Sequence, residues 1–152
     1  MPNTNIKGIT MEIKVHNGVI SAPENNQTIF YIQSKGNNAG RPLLSPITNC
    51  WEVKTFRSVD FEILYIIFES RILEPFIGGS VIPFIRLHDY KNIIKPILNN
   101  AINEDNKVNE KYLQIRKIET QIKKQEEIKY LLLQLKSTIS KEVLKTIKKH
   151  LL

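Results

Sequence analysis

Histidine and cysteine are the side chains of this sequence that could act as nucleophiles or as metal ligands. The chain holds three histidines, His16, His88 and His150, and a single cysteine, Cys50. No two of them have the close spacing that is typical of zinc ligands, so the sequence does not predict a metal site. Cys50 and His88 could form a nucleophilic dyad only if the fold brought them together. Because Cys50 lies in an alternating apolar segment, the sequence favours a buried structural cysteine.

Two glycine-containing segments could bind phosphate, but neither has the required pattern. Residues 36–40 read Gly-Asn-Asn-Ala-Gly, and residues 78–80 read Gly-Gly-Ser. A P-loop needs a Lys followed by Ser or Thr where the glycines open a helix. Both segments are therefore interpreted as turns. Since no other catalytic or cofactor-binding motif is present in the sequence, we expect a protein that is not an enzyme and holds no cofactor.

The positive charge of the chain is concentrated in its last third. The 152 residues carry 22 Lys and Arg against 15 Asp and Glu, a net charge of +7. Residues 1–106 are balanced, with ten basic and ten acidic side chains, whereas residues 107–152 carry 12 basic side chains against five Glu. A basic segment attracts phosphate backbones or an anionic partner. AT-rich coding and the solubility of an exposed helix explain the same excess without a ligand, so both interpretations stay open.

Alternating apolar and polar residues predict a small sheet in the first part of the chain. Period-two patterns indicate strands at residues 11–15, 28–33 and 50–56. The Asn17-Gly18 pair predicts a two-residue hairpin loop that leads into Val19-Ile20. Between the second and third of these strands, a stretch rich in glycine and asparagine is predicted to form a loop. The first ten residues show no periodicity and are interpreted as a flexible leader.

A buried helix is predicted to follow the sheet. Apolar residues recur at spacings of three and four between residues 61 and 72. Ser58 or Asp60 can cap this helix at its start, and Pro75 is expected to stop it. An apolar helix of this kind must pack on the sheet. We therefore expect the α+β class, with a small largely antiparallel sheet and a packed helix in one globular domain, residues 11–100.

Two shorter elements are predicted next. An apolar run over residues 81–86 indicates an edge strand or a bulge, because Pro83 has no amide hydrogen to donate. A short helix from Tyr90 to Ile94 is expected to end at Pro96, which cannot continue the backbone hydrogen bonds of a helix. Residues 101–107 are rich in Asn and acidic side chains and are interpreted as a linker.

Residues 108–152 predict a basic amphipathic, coiled-coil-like helical region. This segment contains no Pro or Gly, and its apolar residues recur in steps of three or four. One long helix fits the pattern, and so does a helical hairpin that turns at Ser137-Thr138. The apolar stripe can be buried either by the hairpin or by a second chain. The second arm of the hairpin, residues 139–150, is too short for a stable isolated helix, so pairing between chains is favoured. The predicted oligomerisation residues are Ile115, Ile122, Leu132, Leu135 and Ile139.

The order of features between residues 59 and 150 resembles one known family. A helix that reads Asp-Phe-Glu-Ile-Leu-Tyr-Ile-Ile-Phe-Glu-Ser precedes the segment Ile-Gly-Gly-Ser-Val-Ile-Pro-Phe-Ile, then Lys95-Pro96 and a long Leu/Ile/Lys helix. This order is similar to the distal half of a target recognition domain of type I restriction–modification specificity subunits, with its coiled-coil helix. The usual proline pair with a following Glu-Gln is missing here. Residues 31–43 also resemble small proteins of Bacteroidota and their mobile elements.

The resemblance implies a non-catalytic DNA-recognition module, with DNA as the partner of its globular part and with itself or another protein as the partner of its helix. Arg can bind guanine and Asn can bind adenine through two hydrogen bonds, and lysines attract phosphates. The alternative is a structural or interaction protein of a phage or mobile element that docks its basic helix on a partner. The candidate nucleic-acid contacts are Lys35, Asn37, Asn38, Arg41, Arg86, Lys117, Lys123, Lys124, Lys129 and Lys136.

Three further features limit the class of protein and its compartment. No apolar run in the sequence approaches the roughly 18 residues that a membrane span needs. The polar start of the sequence lacks the apolar core of a signal peptide. A single cysteine fits a reducing compartment, because it cannot form an internal disulfide. We therefore expect a cytoplasmic protein that has no membrane partner.

Overall fold

The structure is a computed structural model that describes residues 5–6 and 9–149. The predicted leader lies partly outside these residues, as does His150. Within the described residues the chain forms an α+β fold, as predicted, in two compact units, Met1–Tyr112 and Leu113–Leu152. The strands are β1 (Asn5–Ile6), β2 (Ile9–Val15), β3 (Thr28–Gln33), β4 (Pro42–Leu43) and β5 (Cys50–Thr55); the helices are α1 (Asp60–Glu69), α2 (Leu87–Asn100) and α3 (Asp105–Lys149), with a 3₁₀ turn at Glu74–Phe76.

The strands form an antiparallel sheet in the order β1-β2-β5-β3-β4. β5 lies in the middle, where Val53 pairs with Ile13 of β2 and with Phe30 of β3. Because side chains alternate along a strand, this register collects apolar side chains on one face and polar ones, such as Lys14 and Glu52, on the other. The three strands predicted from alternation are confirmed, and the segment interpreted as a leader contributes β1.

The apolar face of the sheet is covered by α1 and α2. Each of the three long strands contributes two buried apolar side chains, and each helix contributes a stripe with helical spacing. A fully buried large apolar side chain contributes about 1.5–3 kcal/mol to stability, so this layer supplies most of the hydrophobic stabilisation of the first unit. The core includes Met11, Ile13, Phe30, Ile32, Trp51, Val53, Ile63, Leu64, Ile67, Tyr90, Ile94 and Leu98.

The predicted hairpin at Asn17-Gly18 is wrong. Gly18 has the positive φ that the turn needs, 85°, but Val19 and Ile20 form no strand and their side chains are exposed. The Asn17 side-chain oxygen accepts a hydrogen bond from the Val19 amide at 3.0 Å, which is a local turn of its own. Both edges of β2 are already occupied, by β1 and β5. Pairing between distant strands therefore overrides the local hairpin signal.

The apolar run over residues 81–86 is a loop rather than a strand. Phe84 forms isolated bridges, one to Lys35 and one to Gly78. The Gly78 and Phe84 backbones exchange two hydrogen bonds of 2.9 Å each, which close the loop between them. Pro83 has no amide hydrogen, so the ladder cannot extend through it.

α2 is longer than the helix predicted from the sequence. It begins at Leu87 instead of Tyr90, and it passes through Pro96 before it ends at Asn100. A proline inside a helix costs about 3 kcal/mol, because it removes a backbone hydrogen bond and crowds the preceding turn. The turn that follows carries Leu98, which is fully buried in the core. Burial of this last turn offsets the cost of the proline.

The predicted capping residue and the predicted proline stop do not set the ends of α1. Its N-cap position is Val59, with no side-chain capping hydrogen bond, so neither Ser58 nor Asp60 caps it. The helix also ends before Pro75 is reached. Arg71 has a left-handed backbone conformation, with φ of 61°, and this conformation ends a right-handed helix.

Arg57 joins the end of β5 to the junction between α2 and α3. Its guanidinium donates hydrogen bonds to the Ala101 carbonyl and to Asp105, where Nη2 and Oδ1 are 2.5 Å apart. Its other terminal nitrogen lies 3.7 Å from Oδ1 of Asp60, which is fully buried. The Thr55 hydroxyl donates to the second oxygen of Asp60 at 2.5 Å. One cation therefore balances two carboxylates and satisfies a carbonyl at a helix end.

α3 is one continuous helix of 45 residues. It passes Gln125 and Ser137-Thr138 without a break, so the described structure corresponds to the single-helix alternative and not to the hairpin. The turn that precedes it is confined to residues 101–104. Among the described residues, no helix is both long and apolar enough to cross a membrane.

Replacement of Arg57 by alanine should lower the free energy of unfolding by about 3 kcal/mol, because the variant leaves the Asp60 carboxylate buried without a cation. Urea unfolding at pH 7, followed by circular dichroism, measures the loss. Arg71→Ala is the matched control: Arg71 and Glu74 are exposed and 3.7 Å apart, and such pairs contribute less than about 1 kcal/mol. Equal losses in the two variants would contradict the role assigned to Arg57.

The stability of the chain should depend on pH through Asp60. Burial raises the pKa of Asp60 above its ordinary value, although the Thr55 hydrogen bond and the Arg57 cation act in the opposite direction. A raised pKa in the folded state stabilises the fold below the ordinary value of about 4, and this contribution is lost as the pH rises through the folded pKa. Relative to Asp60→Asn, the wild-type chain should therefore lose stability as the pH rises from about 4 towards neutrality. Unfolding midpoints of both proteins across this range test the prediction, and a constant difference between them would contradict it.

Candidate functional site

The loop between β3 and β4, residues 34–41, packs closely on the rest of the first unit. The Gly36 amide donates to the Pro83 carbonyl at 2.7 Å, and the Gly40 amide donates to the Gln33 carbonyl at 2.7 Å. Gly40 has φ of 92°, and a Cβ at this position would lie 2.5 Å from the Leu73 side chain. Only glycine fits there without displacement. These contacts give the loop a defined conformation and hold its polar side chains at the surface.

Three of the four candidate residues of this loop, Asn37, Asn38 and Arg41, line one groove with a volume of about 400 Å³. The Arg41 guanidinium lies over the ring of Tyr65, 5.9 Å from its centroid, and this cation–π contact orients the side chain. The opposite side of the groove comes from the end of α1 and the turn after it: Phe68, Glu69, Arg71, Leu73, Glu74 and Ile77.

The groove has mixed charge. Arg41 and Arg71 lie among the lining residues together with Glu69 and Glu74, and Arg71 pairs with Glu74 at 3.7 Å. Carboxylates beside the arginines reduce the attraction for a bare phosphate backbone. The amides of Asn37 and Asn38 add donors and acceptors on the same surface. The groove therefore suits a ligand with polar edges better than it suits a polyanion.

Lys35 and Arg86 lie together on another part of the same loop region. The bridge between Lys35 and Phe84 and the hydrogen bond from the Ile85 amide to the Ser34 carbonyl, 3.1 Å, place Arg86 next to this loop. Both basic side chains are exposed. The structure thus gathers the five candidate residues of the first unit around one loop, in two groups.

The second surface is α3 within the second unit, where every residue from Thr120 to Lys149 is exposed. Four predicted oligomerisation residues are large apolar side chains with roughly half of their surface in water; Ile115, at the start of this unit, is half-buried. A row of such side chains on one helix face marks an interaction surface. The four exposed members are Ile122, Leu132, Leu135 and Ile139.

The five candidate lysines of α3 do not share one face. Residues seven apart lie on one line along a helix that pairs as a coiled coil. Lys117 and Lys124 share such a line, and Lys123 lies about 100° around the helix from Lys124; both positions face away from the apolar stripe. Lys129 and Lys136 share a different line, which continues that of the apolar Ile115 and Ile122. Three lysines therefore face outward, and two lie within the apolar stripe.

A buried polar cluster lies on the second face of the sheet, and the sequence did not predict it. Glu52 is 2% exposed, and its Oε1 lies 3.5 Å from the ammonium groups of both Lys14 and Lys54. Ser21 donates to Oε2 at 2.9 Å, and Nδ1 of His16 is 3.8 Å from the same oxygen. The opposite charges of Lys14 and Glu52 could have predicted this cluster, because the two residues pair across the strands. This pairing can be inferred only once β5 is known to be the partner of β2. The two lysines balance the charge of the buried carboxylate, and the Ser21 hydrogen bond holds the segment after β2 against it.

Cys50 and His88 lie in different environments. Cys50 is 3% exposed in β5, opposite Gln33 of β3. His88 is exposed on α2, where its Nε2 lies 3.0 Å from the side-chain amide of Asn92. A nucleophilic cysteine needs access and an activating base, and the buried Cys50 fits the structural role that its sequence context favours. In the part of the chain that the structure describes, no group of three or more His, Cys, Asp or Glu could hold a metal ion.

The fold and these surfaces define a small α+β protein that carries a long, basic, amphipathic helix. Residues 13–142 match the family of unknown function DUF6943. Since this match covers most of the chain, the protein belongs to that family. No curated protein and no solved structure matches the chain. The likeness to type I specificity subunits therefore stays a prediction.

Proposed function

We propose that this protein is a non-catalytic, cytoplasmic DNA-binding module that assembles through α3. The observation that carries the proposal is the segregation of charge. The first 106 residues are electrically balanced, and the whole excess of +7 lies in residues 107–152. The described part of that segment is almost entirely one exposed helix. A concentrated and accessible array of lysines attracts a phosphate backbone without regard to sequence.

Phosphate contact is assigned to the outward lysines of α3. Lys117 and Lys124 lie about 10 Å apart along the helix axis, and Lys123 projects from an adjacent side of the helix, about 100° around from Lys124. Double-stranded DNA carries one negative charge per about 1.7 Å of its axis, so several phosphates lie within reach of this group. Lys129 and Lys136 can join these contacts when α3 is unpaired, because their side chains are then exposed.

Sequence selectivity is assigned to the loop of residues 34–41. Asn37, Asn38 and Arg41 line a groove whose acidic members weaken contact with phosphate. Asn and Arg are the side chains that bind adenine and guanine edges through two hydrogen bonds. Lys35 and Arg86, which are exposed beside the same loop, suit backbone phosphates that flank such a contact.

Assembly is assigned to the apolar face of α3. About half of the surface of each of its large apolar side chains is in contact with water, which is unfavourable; these side chains are Ile122, Leu132, Leu135 and Ile139. Burial of each such side chain contributes about 1.5–3 kcal/mol. A second copy of the helix offers the same stripe, and an isologous pair buries both at once.

A second candidate function is a structural or interaction protein of a phage or mobile element, which docks α3 on an acidic partner protein. The observation that favours it is the run of exposed Leu131, Leu132 and Leu133, which covers more than one helix face. An apolar surface of this breadth suits a protein partner better than it suits DNA. DNA binding at moderate salt separates the two candidates.

Replacement of Lys117 and Lys124 by alanine should weaken binding to a mixed-sequence DNA duplex and reduce the slope of log K against log salt by about 2, since each lost phosphate contact removes about 0.9. Fluorescence anisotropy with a labelled duplex between 50 and 200 mM salt measures the slope. The matched control is Lys91→Ala with Lys95→Ala on α2, which removes the same charge and should leave the slope unchanged. If the wild-type chain fails to bind DNA at the lowest salt, the DNA-binding proposal is wrong and the protein-docking candidate takes its place.

Replacement of Ile115 and Leu132 by aspartate should convert the assembled protein to a monomer, because two buried charges weaken the pairing at least about 100-fold. Sedimentation velocity at micromolar concentration distinguishes a 17.6 kDa monomer from a species of twice that mass. Leu131→Asp is the control: it introduces a single negative charge next to Leu132 but outside the lines of Ile115 and Leu132, and the chain should still pair. A wild-type chain that sediments as a monomer would contradict assembly through α3.

A further inference from the structure

Two lines of residues form the centre of the apolar stripe on α3. Members of each line are seven residues apart, and the two lines are offset by three residues, which is the pattern of a coiled-coil seam. A third line flanks the first and carries Glu119 and Glu126. The first line holds Ile115, Ile122, Lys129, Lys136 and Val143, and the second holds Ile118, Gln125, Leu132 and Ile139.

A parallel pair of these helices would place like charges in contact. In a parallel, in-register pair each seam residue faces its own copy. Lys129 would face the partner's Lys129, and Lys136 would face the partner's Lys136, in two successive layers. The residues that flank these lysines in that arrangement are Ile128 and Leu135, which offer no negative charge. Two adjacent lysine layers are a repulsive element against parallel pairing.

An antiparallel pair removes this conflict in one register. When Ile115 lies opposite the partner's Ile139, Ile122 lies opposite the partner's Leu132, so these apolar residues meet, while Lys129 lies opposite the partner's Gln125 and Lys136 opposite the partner's Ile118. In the same register Lys129 lies beside the partner's Glu126, and Lys136 lies beside the partner's Glu119. Because the pair has a two-fold axis, each contact occurs twice. Four Lys–Glu contacts thus replace two Lys–Lys contacts, and a single Glu126–Glu126 contact near the two-fold axis is flanked by the two Lys129 ammonium groups.

The flanking glutamates are placed for this role. Both occupy the line directly beside the lysines, which meets the equivalent line of the partner at the edge of an antiparallel seam. Glu119 pairs with Arg116 of its own helix at 2.9 Å, which holds its carboxylate on the helix surface. The long apolar stems of Lys129 and Lys136 can cover neighbouring isoleucine and leucine side chains while their ammonium groups reach this edge.

From this charge pattern we propose that α3 pairs with α3 of a second copy in antiparallel orientation, with Lys129 and Lys136 bound to the partner's Glu126 and Glu119. The inference rests on the proposed self-association of the helix, to which it adds the partner's orientation, its register and the residues that select it.

A charge exchange tests the proposed ion pairs. Lys136 and Glu119 are 17 residues apart, about 25 Å along one helix, so they can meet only between two copies. Lys136→Glu and Glu119→Lys should each weaken the dimer by roughly tenfold, since each places two like-charge contacts in the pair. The double variant should recover most of the lost affinity in sedimentation equilibrium. Lys124→Glu, on the outward face, should leave the dimer unchanged. Single variants without effect, or a double variant without recovery, would overturn the proposal.

Disulfide formation tests the orientation directly, in full-length chains that carry Cys50→Ala. Under the proposal, Ile115→Cys alone and Ile139→Cys alone give no covalent dimer, because equal positions lie about 36 Å apart. An equimolar mixture of the two variants gives a covalent heterodimer on oxidation. A covalent dimer from either single variant alone shows parallel pairing and overturns the orientation. A dimer that forms no disulfide in the mixture overturns the register, and a wild-type monomer overturns the self-association on which the inference rests.

Discussion

The buried carboxylate of Asp60 requires a cation, and Arg57 supplies it at the point where three elements meet. The same guanidinium binds the Ala101 carbonyl and Asp105, so the end of β5, the end of α2 and the start of α3 share one charge. Tyr112 then packs its ring edge-on against Tyr65, 5.4 Å between centroids. The first two turns of α3 are thus part of the first unit.

The two units differ in their net charge. The first unit carries 12 basic and 11 acidic side chains, which nearly balance, and its candidate groove places carboxylates beside arginines. The second unit carries an excess of lysine on an exposed helix that has no apolar cover of its own in the described residues. A balanced surface gives weak long-range attraction but can discriminate by hydrogen bonds, whereas a basic helix gives attraction without discrimination. The proposed function uses each unit for the task that its electrostatics allow.

The sequence predicts those parts of the fold that depend on local periodicity. Alternation around Ile13 and Val53 identifies the long strands, because a half-buried strand must alternate whatever its partner is. The errors at Asn17 and Pro96 arise where distant packing outweighs a local signal, and the ion pairs of Glu52 depend on a strand register that no local pattern contains. The same limit applies to the site. The loop of residues 34–41 is visible as polar and glycine-rich, but the groove also needs the end of α1, which only the fold brings there.

In the proposed function, the lysines within the apolar stripe of α3 connect assembly with DNA binding. A charged residue in a coiled-coil seam reduces the stability of pairing and in return specifies orientation and partner. In the proposed pair, Lys129 and Lys136 bind glutamates of the second copy. The outward lysines, Lys117, Lys123 and Lys124, then make the phosphate contacts. One helix can then serve two partners at once, because the ammonium groups that bind each of them lie on opposite sides of its axis. Salt should weaken both proposed sets of contacts, because the lysines that make them lie on an exposed helix and are screened.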